Sequence, residues 1–194
     1  MEVIFCYAVV ILDIIFELFL KKGDFTTMLL NRKSVELLAP AGTWDALVAG
    51  VESGADAVYL GGKHFNMRMH EGGFNFDDAT LKKAIDYAHA HGVRLYVTLN
   101  NLISNEEIPA LREYLAYLNE IRPDALLVQD FAVLELVHEM GITIPLHTSV
   151  MMNTHNEHAI EKLKEYGITR IVVGREMTLS ELSLFRERTG IEVE

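Results

Sequence analysis

Polar side chains cluster in this sequence where short aliphatic runs end. His147 stands beside Thr148 and Ser149 after Ile144-Pro-Leu146, and a titratable ring next to two hydroxyls can move a proton and hydrogen-bond a substrate. A histidine hydrogen-bonded beneath a loop is the competing reading of the same residues. Arg175-Glu176 follow the run Arg170-Ile-Val-Val173, where the planar guanidinium fork suits a carboxylate or phosphate and the adjacent acid suits an ion pair closing the loop. Asn100 and Asn101 end the run Val93 to Leu99 and offer amide donors and acceptors, or serve as turn residues. Gly61-Gly62-Lys63 and Arg68 lie in the longest loop, where glycine-turn amides and two cations suit an anionic group, a solvated loop being the alternative.

Other spacings carry less. His155 and His158 have the i, i+3 spacing of a metal pair, but with no carboxylate or cysteine partner defined, an exposed helix start accounts for both. Met67, Met69, Met151 and Met152 are read as packing under loops. HExxH, GxSxG and CxxC are all absent, and no cysteine follows Cys6. The usual zinc-protease, serine-hydrolase and thiol-nucleophile patterns are therefore missing.

The elements that must position these residues follow one rhythm. Gly92, Gly141, Gly167 and Gly190 each end a helix-like stretch and are followed at once by a strand-like one, glycine being suited to the left-handed position past a helix. The predicted strands are Val35–Ala39, Ala57–Leu60, Val93–Leu99, Ala125–Val128, Ile144–Leu146 and Arg170–Val173, with a seventh starting at Ile191. Between them lie helices opened by Thr43, near Asp77 and Asn105, by about Phe131 and Asn156, and by Thr178 with Glu181 at capping-box spacing. Arg122-Pro123-Asp124 stops the third. Short aliphatic strands alternating with helices predict a parallel sheet, either doubly wound or closed into an eight-unit barrel. The first strand is followed by Ala-Pro-Ala-Gly42, not by a GxGxxG phosphate turn, and polar residues end every strand. That favours an incomplete TIM-type (β/α) barrel of about six βα units plus the start of a seventh strand, its site built from strand ends. Exposed edges at the first and sixth strands would invite self-association.

With 194 residues, half of them apolar, one sizeable core is expected. A net charge of −11 disfavours wholesale attraction to nucleic acid or to an anionic membrane, while leaving room for a local basic patch. The lone Cys6 favours a reducing, cytoplasmic setting. Residues 1–27 differ from the rest. Val3 to Leu20 is almost wholly apolar, but Asp13 and Glu17 would each cost about 2.5–3.5 kcal/mol inside a membrane. The segment is read as an extension outside the fold, with Met28 as the start of the barrel portion, residues 28–194; a packed or membrane-surface helix is the other reading.

Glu36-Leu-Leu-Ala-Pro-Ala-Gly42, Gly54-Ala-Asp-Ala-Val-Tyr-Leu-Gly-Gly62, Tyr96-Val-Thr-Leu-Asn100, His147-Thr-Ser149 and Val173-Gly-Arg-Glu176, taken as an ordered set from about Val35 to Glu194, closely resemble the peptidase U32 family, the collagenase-like proteases. The resemblance implies a barrel whose histidine-glycine and cysteine signature would follow the Ile191-Glu-Val-Glu194 strand. In the family those cysteines go with an iron–sulfur cluster, and several members are oxygen-independent hydroxylases of tRNA or rRNA pyrimidines or of quinone precursors. No cofactor is expected within this chain itself. His147, Ser149, Arg175, Glu176, Asn100, Lys63 and Arg68 carry over as substrate-side groups for RNA or, under the protease label, a peptide. The remaining alternative is a half-barrel assembly module or inactive fragment.

Overall fold

The computed structural model describes residues 35–194, in which seven strands alternate with six helices. The order is β1 (Leu38–Pro40), α1 (Trp44–Glu52), β2 (Ala57–Gly61), α2 (Asp78–Ala90), β3 (Arg94–Leu99), α3 (Ile108–Ile121), β4 (Ala125–Val128), α4 (Phe131–Glu139), β5 (Leu146–Thr148), α5 (Glu157–Glu165), β6 (Ile168–Ile171), α6 (Leu179–Thr189) and β7 (Glu192–Val193). Five of the six helices, all but α3, begin where a side chain satisfies an otherwise orphaned amide. Thr43 accepts from Ala46 N at 3.2 Å, Asp77 from Thr80 N at 2.8 Å and Asn156 from Ala159 N at 3.0 Å. Thr178 and Glu181 close the expected capping box. Gly190, at φ 65°, ends α6 in the left-handed region and turns the chain into β7, while Arg122 at φ 55° and Pro123 end α3.

All seven strands run parallel, in the order β1 to β7, so every helix is a crossover between neighbours. The sheet curls. Tyr96 on β3 and Arg170 on β6 are three strands apart, about 14 Å on a flat sheet, yet the guanidinium lies 5.4 Å from the Tyr96 ring centroid. His147 on β5 lies 4.9 Å from the same ring. This is the seven-strand portion of a TIM-type (β/α) barrel, as the helix, glycine and strand rhythm predicts.

The alternation of each strand separates two faces. Val58, Leu60, Leu95, Val97, Leu99, Leu126, Val128, Leu146, Ile168 and Ile171 join the helices in one apolar core, with Leu47, Leu81, Ile85, Leu111, Leu115, Leu118, Leu134 and Ile160 from the helix side. The inward face carries a small second cluster of Ala57, Tyr96, Ala125 and Leu127, with Leu38 and Tyr59 against it.

Three boundaries correct the sequence reading. β1 begins at Leu38, not Val35. β5 is Leu146–Thr148, not Ile144–Leu146, because Pro145 has no amide to give the ladder; its carbonyl accepts from Leu126 N at 2.9 Å and pairing starts beyond it. β6 is Ile168–Ile171, not Arg170–Val173, with a register shift against β5 that leaves Thr169 as an extra residue. The free edge expected at the sixth strand also moves, since β6 pairs with β7 through Arg170 and Glu192 and through Ile171 and Val193. β7 bears Glu192, with Glu194 beside it, and such charges discourage edge-to-edge association. Among the described residues no helix is long and apolar enough to cross a membrane. Cys6 and the expectations for residues 1–27 lie outside the described residues.

Candidate active site on the inward face and strand-end mouth

Inside the curve, the ladders align His147 with Leu127 on one side and with Arg170 on the other, and Arg170 with Glu192. The extra residue at Thr169 is what turns Arg170 inward while Ile168 and Ile171 both stay in the helix-side core. Arg170 donates from Nε and Nη2 to Glu192 Oε2 at 3.0 and 2.9 Å, and its Nη1 lies 4.0 Å from Glu194. Its other face covers Tyr96, whose ring meets His147 edge-on. These groups line a cavity of about 440 Å³ with Arg94, Asp124, Pro145 and Thr169, on the side where the strands begin. His147 therefore sits within the barrel at mid-strand, not at its mouth, because β5 starts two residues later than its apolar pattern suggests.

The mouth, where the strands end, is organised by amides. Asn100 donates to Ser149 Oγ at 3.2 Å and accepts from Met67 N at 3.4 Å, tying the ends of β3 and β5 to the long loop after β2. Both residues are buried. Within that loop Asn66 donates from Nδ2 to the Gly62 carbonyl and accepts from Arg68 N at 2.8 Å, and Asn75 donates to the Arg68 carbonyl at 2.7 Å. Gly61 is required here: a Cβ would stand 2.8 Å from Asn75 Oδ1 and 3.0 Å from Thr98 Oγ1. Phe65 and Asn75 hold φ of 55° and 73°, and such left-handed backbone at a bulky residue persists only where the surroundings over-determine it.

The loop thus presents Arg68, exposed, over the end of β2. Its charge reaches the Tyr59 phenol, whose pKa is nonetheless raised because burial outweighs that cation, with Glu194 adding to the rise. Tyr59 on β2 and Glu194 beyond β7 can act on each other only across the curve. Beneath the same loop His64, Phe65 and Tyr117 surround Tyr114, with ring centroids 5.5, 5.8 and 6.0 Å away. The Tyr114 hydroxyl is buried without a hydrogen-bond partner, and burial pushes its pKa up.

The predicted residues therefore divide. Asn100 and Ser149 meet at the mouth, Arg68 stands exposed in the loop that Asn100 ties down, and Asn101 joins that loop through its amide, which donates to Phe65 O at 3.1 Å. Lys63 is exposed, and its charge acts on Asp77 at the start of α2, where hydrogen bonds from Thr80 are the larger cause of a lowered carboxyl pKa. Arg175 and Glu176 are exposed in the turn after β6. Glu176 and His155 pack about Gly174, and with His158, Met177, Glu181 and Phe185 they line an outer cavity of about 510 Å³ between α5 and α6. Tyr59, Tyr96, Arg170 and Asn66 are the inward or mouth residues that the sequence reading did not select. The period-2 alternation Ala57, Tyr59, Gly61 against Val58, Leu60 was the available signal for Tyr59.

The described residues contain no cysteine, the ligand that iron–sulfur clusters take, and no group of three His, Cys, Asp or Glu that could hold a metal ion. They do not fit the cluster that the resemblance implies. What they can do is bind: a curved aromatic and cationic surface framed by amides and a hydroxyl.

Comparison with known proteins agrees with this architecture. The chain is 31% identical over 162 residues to tRNA hydroxylation protein P1 of Bacillus subtilis, covering 84% of this chain and 38% of that protein. It is 32% identical over 169 residues to the 23S rRNA 5-hydroxycytidine C2501 synthase of Escherichia coli, covering 86% of this chain and 25% of that one. The chain thus spans roughly a quarter to two fifths of these relatives. The solved structure of the U32 peptidase Mk0906 superposes with a TM-score of 0.68 at 17% identity, over 82% of this chain and 67% of that one, a likeness of fold. With the model of peptidase family U32 matching residues 42–194, the chain belongs to that family.

Proposed function

We propose that this chain forms the substrate-facing strands of a U32 barrel that hydroxylates a pyrimidine of tRNA or rRNA, the mouth with Asn100, Ser149 and Arg68 receiving the nucleotide above Tyr59 inside the curve. The observation that carries this reading is that relatives sharing about a third of their residues over most of this chain are named for tRNA and rRNA hydroxylation. The geometry supports it: amide and hydroxyl groups at the mouth can hydrogen-bond a base edge, and a guanidinium can meet a phosphate. No nucleophile and base pair for peptide hydrolysis stands among the inward residues named above. The family resemblance implies an iron–sulfur cluster as the source of redox chemistry, for which the described residues offer no cysteine. The reading carries a cytoplasmic setting with it, that of tRNA and rRNA modification.

Grafting residues 35–194 in place of the matching segment of the Bacillus subtilis tRNA hydroxylation protein P1, in cells lacking the native copy, tests the reading. Mass spectrometry of tRNA nucleosides should show a pyrimidine carrying one added oxygen. A folded, well-expressed chimera that leaves tRNA unmodified and cleaves gelatin would reverse the assignment in favour of a peptidase.

A further inference from the structure

Tyr59 stands apart from the other inward rings. Tyr96 is 2% exposed, closed in by His147 and Arg170, whereas Tyr59 is only partly buried. Its body rests on the Ala57, Tyr96, Ala125 and Leu127 cluster, and its ladder neighbours are Pro40 and Tyr96. The next inward position toward the mouth is Gly61, which has no side chain and no room for one. Immediately beyond, the loop is pinned by Asn66, Asn75 and Asn100 and delivers Arg68. A partly exposed ring on β2 and an exposed cation on the pinned loop that follows β2 thus stand at one side of the barrel.

We infer that Tyr59 is the stacking platform for a single unpaired nucleobase and Arg68 the contact to its adjoining phosphate. The inference rests on the RNA reading above and deepens it. A ring stacked face-on leaves the base edge free, and that edge is where 5-hydroxycytidine, the product named for the Escherichia coli relative, carries its added oxygen. A duplex cannot lay one base on a residue set inside the curve, so the nucleotide enters single-stranded or extruded. In a chain of net charge −11, one well-placed cation also matters more than it would on a basic surface.

The test is fluorescence anisotropy with the full chain and a labelled pyrimidine-rich single-stranded RNA, with the same strand annealed to its complement as control. Tyr59→Ala should weaken binding about tenfold and Tyr59→Phe by less than about twofold, since the ring face is retained. Tyr59→Leu keeps apolar bulk without the ring, and it should resemble the alanine variant even if that one folds poorly. Arg68→Ala should flatten the slope of log K against log salt by about 0.7, and Arg68→Lys should keep it. Wild-type binding by Tyr59→Leu and Arg68→Ala, equal affinity for the duplex, or displacement of the RNA by a collagen peptide would each overturn the inference. So would absence of RNA binding by the wild-type chain, in which case the hydroxylase reading stands or falls separately on the chimera.

Discussion

The same strands give the helix-side face Val58, Leu60, Leu95, Val97, Leu126 and Val128, and give the inward face Tyr59, Tyr96, Leu127, His147, Arg170 and Glu192. One face is continuous hydrocarbon closed by helices. The other is aromatic and charged and surrounds a cavity. Strand alternation alone makes the first face a folding surface and frees the second for binding, so substitutions on the two faces should fail differently.

The largest expected effect is on the helix side. Leu95→Ala or Leu126→Ala, each fully buried, should lower stability by about 2–5 kcal/mol in urea unfolding, whereas Leu127→Ala, bordering the open inward side, should cost about 1–2 kcal/mol because its site can relax. Equal losses would erase the distinction between the faces. Next is the junction beneath the long loop, where a Cβ at Gly62 would collide with the Tyr114 hydroxyl. Gly62→Ala should cost about 1–3 kcal/mol. Tyr114→Phe, removing a buried hydroxyl without a partner, should be neutral or stabilising by up to about 1 kcal/mol and should recover part of the Gly62→Ala loss.

Much of the helix-side face was legible in the sequence because its signals are local. Capping by Thr43, Asp77, Asn156 and Thr178 depends on a few adjacent residues, and Gly190 before Ile191 announces both a helix end and a strand. The inward site was less legible because its neighbours are made by curvature. Nothing in the sequence places Arg170 over Tyr96, three strands away, or shows that a bulge at Thr169 turns it inward. The sequence shows His147 as a residue with chemistry but points it to the mouth, since Pro145 reads as the middle of a strand and not as the residue before one. Asn100 and Ser149 were visible as strand-end residues, though not the hydrogen bond joining them.

A smaller effect should separate the partners of the inward ion pair. The Arg170 side chain is 11% exposed and that of Glu192 67%. Glu192→Gln should cost less than about 1 kcal/mol, as solvated ion pairs do, while Arg170→Ala, which also uncovers Tyr96, should cost more and should perturb the tyrosine near-ultraviolet circular dichroism. The smallest effect lies in the helix caps. Glu107 and Glu181 have lowered pKa values through hydrogen bonds from Ser104 and Thr178, as Asp77 has through Thr80. Lowered folded-state values mean that this stabilisation is complete above the ordinary carboxyl range, near pH 4–5, and is lost as pH falls through the folded-state values. The urea midpoint of Thr178→Ala should therefore fall below that of the parent chain at pH 7, and the gap should narrow as pH falls through the acid range and the Glu181 carboxylate is protonated.

The most direct test of the inward face as the substrate surface is photo-crosslinking of 4-thiouridine RNA to the full chain, with mass-spectrometric mapping of the joined peptides. Crosslinks should concentrate in residues 59–76 and 98–101, which carry Tyr59, Arg68 and Asn100. Crosslinks confined to the outer surfaces of α1 to α6 would contradict the assignment.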